Sequence, residues 1–232
     1  MPALTHWSHP SFFAYFATST SAPGIFGELL SAAFDNKAML WRTSPASTEL
    51  EEVTLDWLRQ MMGLDAGMTG IIYDTASVSS MHAIAAAREG VELRIREEGM
   101  SGRARICRCL RVYVSEQAHS SIEKGVITLG LGQRGLRKIP TDSEFRMDVK
   151  ALAAAIEEDK ANGIVPFCIV ATVGTDVNFE HRSGSEISSD RRAACDVAAR
   201  GCGLCGLGGG GAGVAAYSQR VRAGGFSGGQ SA

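Results

Sequence analysis

Two short segments of the sequence contain side chains that could bind a ligand or transfer protons. Residues 74–77 read Asp-Thr-Ala-Ser and join a β-branched run to a predicted helix. Exposed N–H groups at a helix start, with Ser and Thr hydroxyls beside them, can hold a phosphate group. An ordinary helix cap made by Asp74 or Ser77 accounts for the same residues. The local sequence leaves both interpretations open.

The second segment, residues 115–121, places His119 just after another predicted strand. An imidazole there could stack on a planar ring, bind a metal or shuttle protons, and a satisfied structural histidine is the alternative. No second His or Cys lies nearby in the sequence at metal-site spacing, so a metal is the least favoured of these roles. Cys202 and Cys205 form a Cys-x-x-Cys pair, but no strand precedes it and no second pair follows, which favours chance spacing.

The elements that would position these residues alternate between strand and helix. Helices are predicted from Ser44-Pro45 to about Met61, over residues 81–88, over residues 117–129, and from the cap Asp148 to Lys160. Apolar, β-branched runs predict strands over residues 71–73, 110–114 and 167–173. Continuous apolar strands alternating with helices predict an α/β fold, with a mainly parallel sheet covered by helices on both faces. Ligands bind such sheets where strands end and helices begin.

Composition excludes several classes of protein. The chain has 232 residues, 23 Lys+Arg against 25 Asp+Glu, and 45% hydrophobic residues. This near-neutral balance argues against nucleic-acid binding through bulk charge, and the apolar content argues against disorder throughout. No apolar stretch reaches the roughly 18 to 20 residues needed to cross a membrane. Six cysteines without a secretory signal predict thiols in a cytoplasmic protein.

Five stretches, in order, resemble the pyridoxal-phosphate-dependent group II decarboxylases, the aromatic-L-amino-acid decarboxylase family. Each stretch alone is weak, but their order over some 170 residues is specific. They are HWSHPSFFAYFATS (residues 6–19), LWRTSPASTELEEVTLDWL (40–58), GIIYDTASVSSMHAIAAARE (70–89), VYVSEQAHSSIEKG (112–125) and VPFCIVATVGT (165–175).

The resemblance implies the large domain of a fold-type I pyridoxal-phosphate enzyme that works as a homodimer. Ala76 and Ser77 match the phosphate-binding residues of the family. His119 matches the histidine that stacks on the pyridine ring and contacts the substrate. Tyr15 and Thr18 match positions lining the substrate pocket.

Thr175 begins the Gly-Thr-Thr element near the cofactor, where Asp176 replaces the second Thr. An anionic side chain there would be a poor neighbour for the cofactor phosphate.

The family's remaining machinery has no counterpart in these 232 residues. In the family, a His-Lys-Trp motif supplies the Schiff-base lysine and an Asp-Ala-Ala-Tyr stretch supplies the aspartate that protonates the pyridine nitrogen. None of the lysines lies in such a motif or after Thr175, and Asp196 lies in Ala-Cys-Asp-Val. The lysines are Lys37, Lys124, Lys138, Lys150 and Lys160.

Glycine is concentrated at the end of the chain, where 12 of the 27 glycines occupy the last 32 residues. We therefore expect residues 1–180 to form part of the decarboxylase large domain. Residues 181–232 are expected to be a Gly/Ala/Arg-rich tail outside the fold, with a possible helix at residues 191–199. A reading-frame shift in a GC-rich gene is one hypothesis for this tail.

The function implied by the resemblance is pyridoxal-phosphate-dependent decarboxylation of an amino acid, with an aromatic side chain favoured. We expect the chain by itself to be inactive, since it lacks the lysine and the aspartate. The alternative is a non-catalytic pseudo-enzyme or binding partner of a full-length paralogue. An unrelated phosphate-binding α/β protein would explain Ser77 but not the other four stretches.

Overall fold

The computed structural model describes residues 4–7, 9–13, 20–64, 66–91, 93–101, 109–143, 145–173, 204–209 and 217–219. The chain divides into two compact units, residues 1–52 and residues 53–232. Among the described residues of the first unit, two helices begin: α1 (Ala22–Ala33) and α2 (Pro45–Met61), and the residues of α2 extend past residue 52.

Local capping sets the start of α1. The Oγ atom of Ser21 accepts a hydrogen bond from the N–H of Gly24 at 3.3 Å, and Pro23 occupies the first turn. A hydroxyl cap followed by proline is a strong start signal because it satisfies one free N–H and presets φ. No residue of α1 is buried.

The second unit alternates strands with helices. Its elements after α2 are α3 (Ala76–Glu89), α4 (Ile95–Glu98), β1 (Leu110–Ser115), α5 (Ser120–Thr128), a 3-10 helix (Gln133–Gly135), β2 (Leu136–Ile139), α6 (Val149–Ala161), β3 (Val165–Val173), β4 (Leu204–Gly209) and β5 (Tyr217–Gln219).

The described strands form one sheet in the order β2-β1-β3-β4-β5. The pairs β1–β2, β1–β3 and β3–β4 are parallel, and β4–β5 is antiparallel. In the register of the central strands, Val112 lies opposite Leu136 on one side and Cys168 on the other. The expected mainly parallel sheet is therefore confirmed.

Alternating side chains of β1 and β3 build two cores on opposite faces of the sheet. Val112 and Val114 pack with residues of α3 and α5, whereas Tyr113 and Ile169 pack with residues of α6. Successive strand side chains point to opposite faces, so a strand covered on both sides must be apolar throughout. Helices consequently cover both faces, as the sequence predicted.

Most predicted elements are present with small changes in their ends. The helix expected over residues 81–88 begins earlier, at Ala76, because Thr75 caps it. The strand expected over residues 71–73 is reduced to an isolated bridge at Ile72. The sequence analysis missed α1, α4 and β2.

Strands β4 and β5 come from the segment assigned to a tail, and β4 pairs with β3 in the sheet. Where the folded domain ends stays a prediction. The possible helix at residues 191–199 lies outside the described residues.

Among the described helices, none combines the length and the apolar content that a membrane crossing needs.

Candidate functional site

The carboxyl end of β1 lies at a reversal of strand order. The chain leaves β1 through α5, on one face of the sheet, and reaches β2 on one side of β1. It then returns through α6, on the opposite face, to β3 on the other side of β1. In open α/β sheets, ligands bind outside the carboxyl ends of the strands at such a reversal. The residues after β1 and before α3 and α5 are therefore the site candidates.

The turn before α3 presents backbone donors. Thr75 is the N-cap in an extended conformation, and its Oγ1 accepts the N–H of Val78 at 3.3 Å. The first N–H groups of a helix have no acceptor within the helix, so those of Ala76 and Ser77 point out of its end. The Ser77 side chain is exposed and Ala76 is half-buried. Thr75 thus makes the cap that the sequence analysis had assigned to Asp74 or Ser77, and Ser77 remains available to a ligand.

His119 is the N-cap of α5, and its ring is held against the helix start. Its Nδ1 accepts a hydrogen bond from the N–H of Ser121 at 3.2 Å and lies 2.9 Å from Ser121 Oγ. The ring is exposed, whereas Ser121 is buried. A histidine cap of this kind restrains the ring at the carboxyl edge of the sheet, directly after β1.

Two contacts show that α3 and α5 run in the same direction. Near the middle of each helix, a methyl group placed on Gly125 would lie 3.6 Å from the Cα of Met81. Near their ends, Nη1 of Arg88 donates to the carbonyl of Leu129, the C-cap of α5, at 2.8 Å. Because both helices proceed from the first contact to the second, their N-termini lie at the same end of the pair.

Ser77 and His119 are therefore brought to one edge. Thr75 and His119 each precede the Met81–Gly125 contact by six residues, which is roughly 9 Å of helix at 1.5 Å per residue. Packed helices have axes about 8–10 Å apart. Two helix N-termini, whose partial positive charges favour anions, thus lie side by side with an imidazole at one of them.

Glu116, which the sequence analysis did not single out, ties together the loops at this edge. Its N–H donates to the carbonyl of Ile139 at 3.0 Å. Its Oε1 accepts from the N–H of Thr141 at 3.2 Å and from Thr141 Oγ1 at 2.9 Å. The segments after β1 and β2 are thereby joined. The sequence signal for Glu116 was weak, because an acidic residue that follows a strand is common at protein surfaces.

Tyr73 and His82 form a second feature that the sequence did not reveal. Their rings stack with centroids 4.7 Å apart and planes at 27°. His82 Nδ1 is also 2.9 Å from the carbonyl oxygen of Val78, one turn earlier in α3. The stack joins the residue before the turn to the helix after it, and so restrains residues 74–77.

An ion pair joins α5 to β2. The Lys138 ammonium of β2 hydrogen-bonds the carboxylate of Glu123 and lowers the pKa of that carboxyl below its usual range. Gln133 contributes a further hydrogen bond to Glu123 at 3.1 Å. Within the described parts of the chain, no cluster of His, Cys, Asp or Glu is suited to hold a metal ion.

Several site residues expected from the sequence lie outside the described residues. They are Tyr15 and Thr18 of the substrate pocket and Thr175 of the Gly-Thr-Thr element, with Asp176 beside it. Their roles stay predictions. Cys205 falls within β4, and its partner in the Cys-x-x-Cys pair, Cys202, is not described.

Known proteins match the chain over most of its length. The profile of the pyridoxal-dependent decarboxylase conserved domain matches residues 1–189. An aromatic-L-amino-acid decarboxylase of Cavia porcellus is 42% identical over 184 residues, covering 75% of this chain and 38% of the relative. Tyrosine decarboxylase 2 of Arabidopsis thaliana is 38% identical over 183 residues, covering 75% of this chain and 32% of the relative.

A solved structure agrees with this match. The crystal structure of Oryza sativa TDC with PLP and tryptamine superposes with a TM-score of 0.76 at 33% identity, covering 89% of this chain and 44% of that one. The chain spans less than two fifths of the length of the two curated relatives. With the parallel sheet and the paired helix N-termini, these matches show that the chain belongs to the pyridoxal-dependent decarboxylase family.

Proposed function

We propose that this chain contributes the phosphate-binding residues, Ala76 and Ser77, and the ring-stacking histidine, His119, of an enzyme that decarboxylates amino acids with pyridoxal phosphate. The observation that carries the proposal is the parallel packing of α3 and α5, which brings Ser77 and His119 to the same edge of the sheet. Family membership supplies the reaction class.

The residues present fit the cofactor. A phosphate group needs several N–H and O–H donors. The N–H groups of Ala76 and Ser77, the Ser77 hydroxyl and the positive end of α3 can supply them. An exposed imidazole on the neighbouring helix can lie against a planar pyridine ring. When bound, pyridoxal phosphate supplies an electron-withdrawing ring that stabilises the negative charge left as CO₂ departs.

An aromatic amino acid is the proposed substrate class. The relatives named above are an aromatic-L-amino-acid decarboxylase and a tyrosine decarboxylase, and the superposed structure contains tryptamine. Tyr15 and Thr18 are proposed to line the substrate pocket, and Thr175 to lie near the cofactor.

Replacing Ser77 by aspartate is expected to weaken binding of pyridoxal phosphate at least tenfold. A carboxylate within about 5 Å of a phosphate repels it by about 3 kcal/mol per pair of charges at an effective dielectric constant of 20. Titration of cofactor fluorescence would measure the affinity. Ala86→Asp, at the exposed far end of the same helix, is the matched control.

Pyridoxal without its phosphate separates the two possible causes of weaker binding. Its affinity should be the same for Ser77→Asp and the unmodified chain, since the new repulsion acts on the phosphate. An equal loss of affinity for both compounds, or normal binding of pyridoxal phosphate by Ser77→Asp, would contradict the proposed phosphate-binding site.

A non-catalytic role for these 232 residues is the second candidate. The observation that favours it is the exposure of all the lysines, Lys37, Lys124, Lys138, Lys150 and Lys160. Residues that lie outside this sequence in the family supply the Schiff-base lysine and the pyridine-nitrogen aspartate. We propose that the chain alone binds the cofactor without decarboxylating an amino acid, and that it could pair with a complete paralogue.

We also propose that the protein forms a homodimer through α1. On α1, Ile25, Phe26, Leu29 and Leu30 are each more than half exposed. A 12-residue helix with no buried residue gains nothing from tertiary packing and is marginal in water. Burial against a second copy would supply that packing.

Leu29→Glu is expected to shift the chain from dimer to monomer, because it places a charge within the apolar face of α1. Analytical ultracentrifugation over a range of concentrations would measure the shift. Ser31→Glu, which changes an exposed polar residue of the same helix, should leave the dimer intact. Equal dissociation for the two variants, or a monomeric unmodified chain, would rule out this interface.

Two further proposals concern the whole chain. A cytoplasmic location is proposed because the six cysteines of the chain suit thiols in a reducing compartment. A tail beginning near residue 181 also remains a proposal: the family match ends at residue 189, but β4 from the same segment pairs with β3.

A further inference from the structure

The N-terminus of α5 determines which nitrogen of His119 can carry a proton. The peptide N–H of Ser121 points at Nδ1 of His119 from 3.2 Å, and the hydroxyl of Ser121 lies 2.9 Å from the same nitrogen. A peptide N–H can donate but cannot accept. Nδ1 must therefore offer a lone pair, and the neutral imidazole carries its hydrogen on Nε2.

The opposite tautomer is disfavoured by the same geometry. A hydrogen on Nδ1 would face the N–H of Ser121 at close range and leave that amide without its acceptor. The hydroxyl of Ser121 can rotate, so in the favoured tautomer it donates to Nδ1 alongside the amide. Ser121 is buried, so its side chain is held in place beside the exposed ring of His119.

We propose that Ser121 is a positioning residue that holds His119 in the Nε2–H tautomer. The inference rests on the proposed function for its purpose: a ring at the cofactor site then has its hydrogen-bond donor at Nε2. A ligand that contacts this nitrogen must supply an acceptor, such as the carboxylate of an amino acid. The wrong tautomer would put a lone pair against that carboxylate.

Long-range ¹H–¹⁵N NMR of the full chain, labelled at histidine, would test the tautomer directly. The spectrum is recorded at about pH 8.5, where an ordinary imidazole is neutral. Comparison with His119→Gln identifies the His119 signals. We expect an unprotonated Nδ1 and a protonated Nε2. A protonated Nδ1, or signals averaged between the two forms, would overturn the proposal.

Three substitutions separate positioning from general packing. Ser121→Ala removes the hydroxyl and keeps the amide, so the Nε2–H tautomer should persist while the Nδ1 signal of His119 shifts through loss of one hydrogen bond. Ser121→Thr restores a hydroxyl and should restore the signals. Ser120→Ala, an exposed serine in the same turn, should leave them unchanged. Equal spectra for Ser121→Ala and Ser120→Ala would refute the role of Ser121.

Cofactor affinity provides the second measurement. Ser121→Ala should bind pyridoxal phosphate several-fold more weakly than Ser120→Ala, and Ser121→Thr should recover the affinity. If the unmodified chain does not bind pyridoxal phosphate, the proposed function fails, while the NMR result still decides the tautomer. Normal binding together with a protonated Nδ1 would instead refute this inference alone.

Discussion

Replacing Asp159 by alanine is expected to lower the free energy of unfolding by about 3 kcal/mol. The Asp159 side chain is 5% exposed, between Arg111 of β1 and Arg137 of β2. Its oxygens lie 3.4 Å from Arg111 Nε and 2.9 Å from Arg137 Nη1, and Oδ2 accepts from Tyr113 Oη at 2.8 Å. Removing one member of a buried ion pair costs about 3–5 kcal/mol because the partner charge remains. The lower end applies because Arg137 is 30% exposed.

Arg137 also has a second partner that Asp159→Ala leaves in place. The Glu158 carboxylate hydrogen-bonds Arg137 and is the main cause of the raised pKa of that guanidinium, and the charge of Asp159 adds to it. Among the described residues, Arg111 has no such second carboxylate: its Nε makes no hydrogen bond, and its Nη1 donates to the carbonyl of Arg134. We therefore attribute most of the expected loss to Arg111 and to the hydroxyl of Tyr113.

Urea unfolding followed by circular dichroism would measure this loss. Glu157→Ala is the matched control, since Glu157 lies on the same helix and pairs with Lys160 at the surface. It should cost about 0.5 kcal/mol or less, as exposed pairs do. Tyr113→Phe removes the hydroxyl alone and should cost about 1–2 kcal/mol. A loss for Asp159→Ala no larger than for Glu157→Ala would mean that the charge cluster does not stabilise the fold.

Borohydride reduction with pyridoxal phosphate is expected to label no single lysine of the 232-residue chain. An enzyme of this class holds its cofactor through one lysine within the site, whereas the lysines of this chain are exposed. In addition, Lys138 Nζ forms an ion pair with Glu123 Oε2 at 3.1 Å, and Lys160 Nζ forms one with Glu157 Oε1 at 3.1 Å. Peptide mapping by mass spectrometry should therefore find only low, scattered labelling.

A full-length relative, such as the decarboxylase of Cavia porcellus, is the positive control and should label at one position. Decarboxylation, followed as CO₂ release from an aromatic amino acid, should be absent for the chain alone. Stoichiometric labelling of one lysine would contradict the non-catalytic proposal. It would also identify the lysine that forms the Schiff base with the cofactor.

Much of the fold could be predicted because its local signals agree with its packing. Asp148 caps α6 with its Oδ1 accepting from the N–H groups of Lys150 and Ala151, as a carboxylate before a helical pattern predicts. β1 was predicted because its residues, apart from Arg111 and Ser115, are apolar on both faces. β2 was missed because Arg137 and Lys138 occupy two of its four positions. Those charges are accommodated by Asp159 and Glu123, which lie on helices that the local sequence cannot place beside them.

The candidate site, like the fold, was only partly predictable from the sequence. The sequence by itself indicated Ser77 and His119 as site residues, since they follow predicted strands and match a family pattern. It could not show that Thr75, rather than Asp74 or Ser77, caps α3, because that depends on the backbone of the turn. It also gave no sign of the stack between Tyr73 and His82, which requires the turn to fold back on the helix.

The tertiary structure alone decided that the two marked residues share a site. Residues 77 and 119 come to one edge because α3 and α5 pack in the same direction, with Met81 against Gly125 and Arg88 at the end of α5. Both helices are buried on one face of the parallel sheet, and this packing is a long-range effect. The chemical types of the site residues are local properties of the chain, but their arrangement depends on contacts between distant segments.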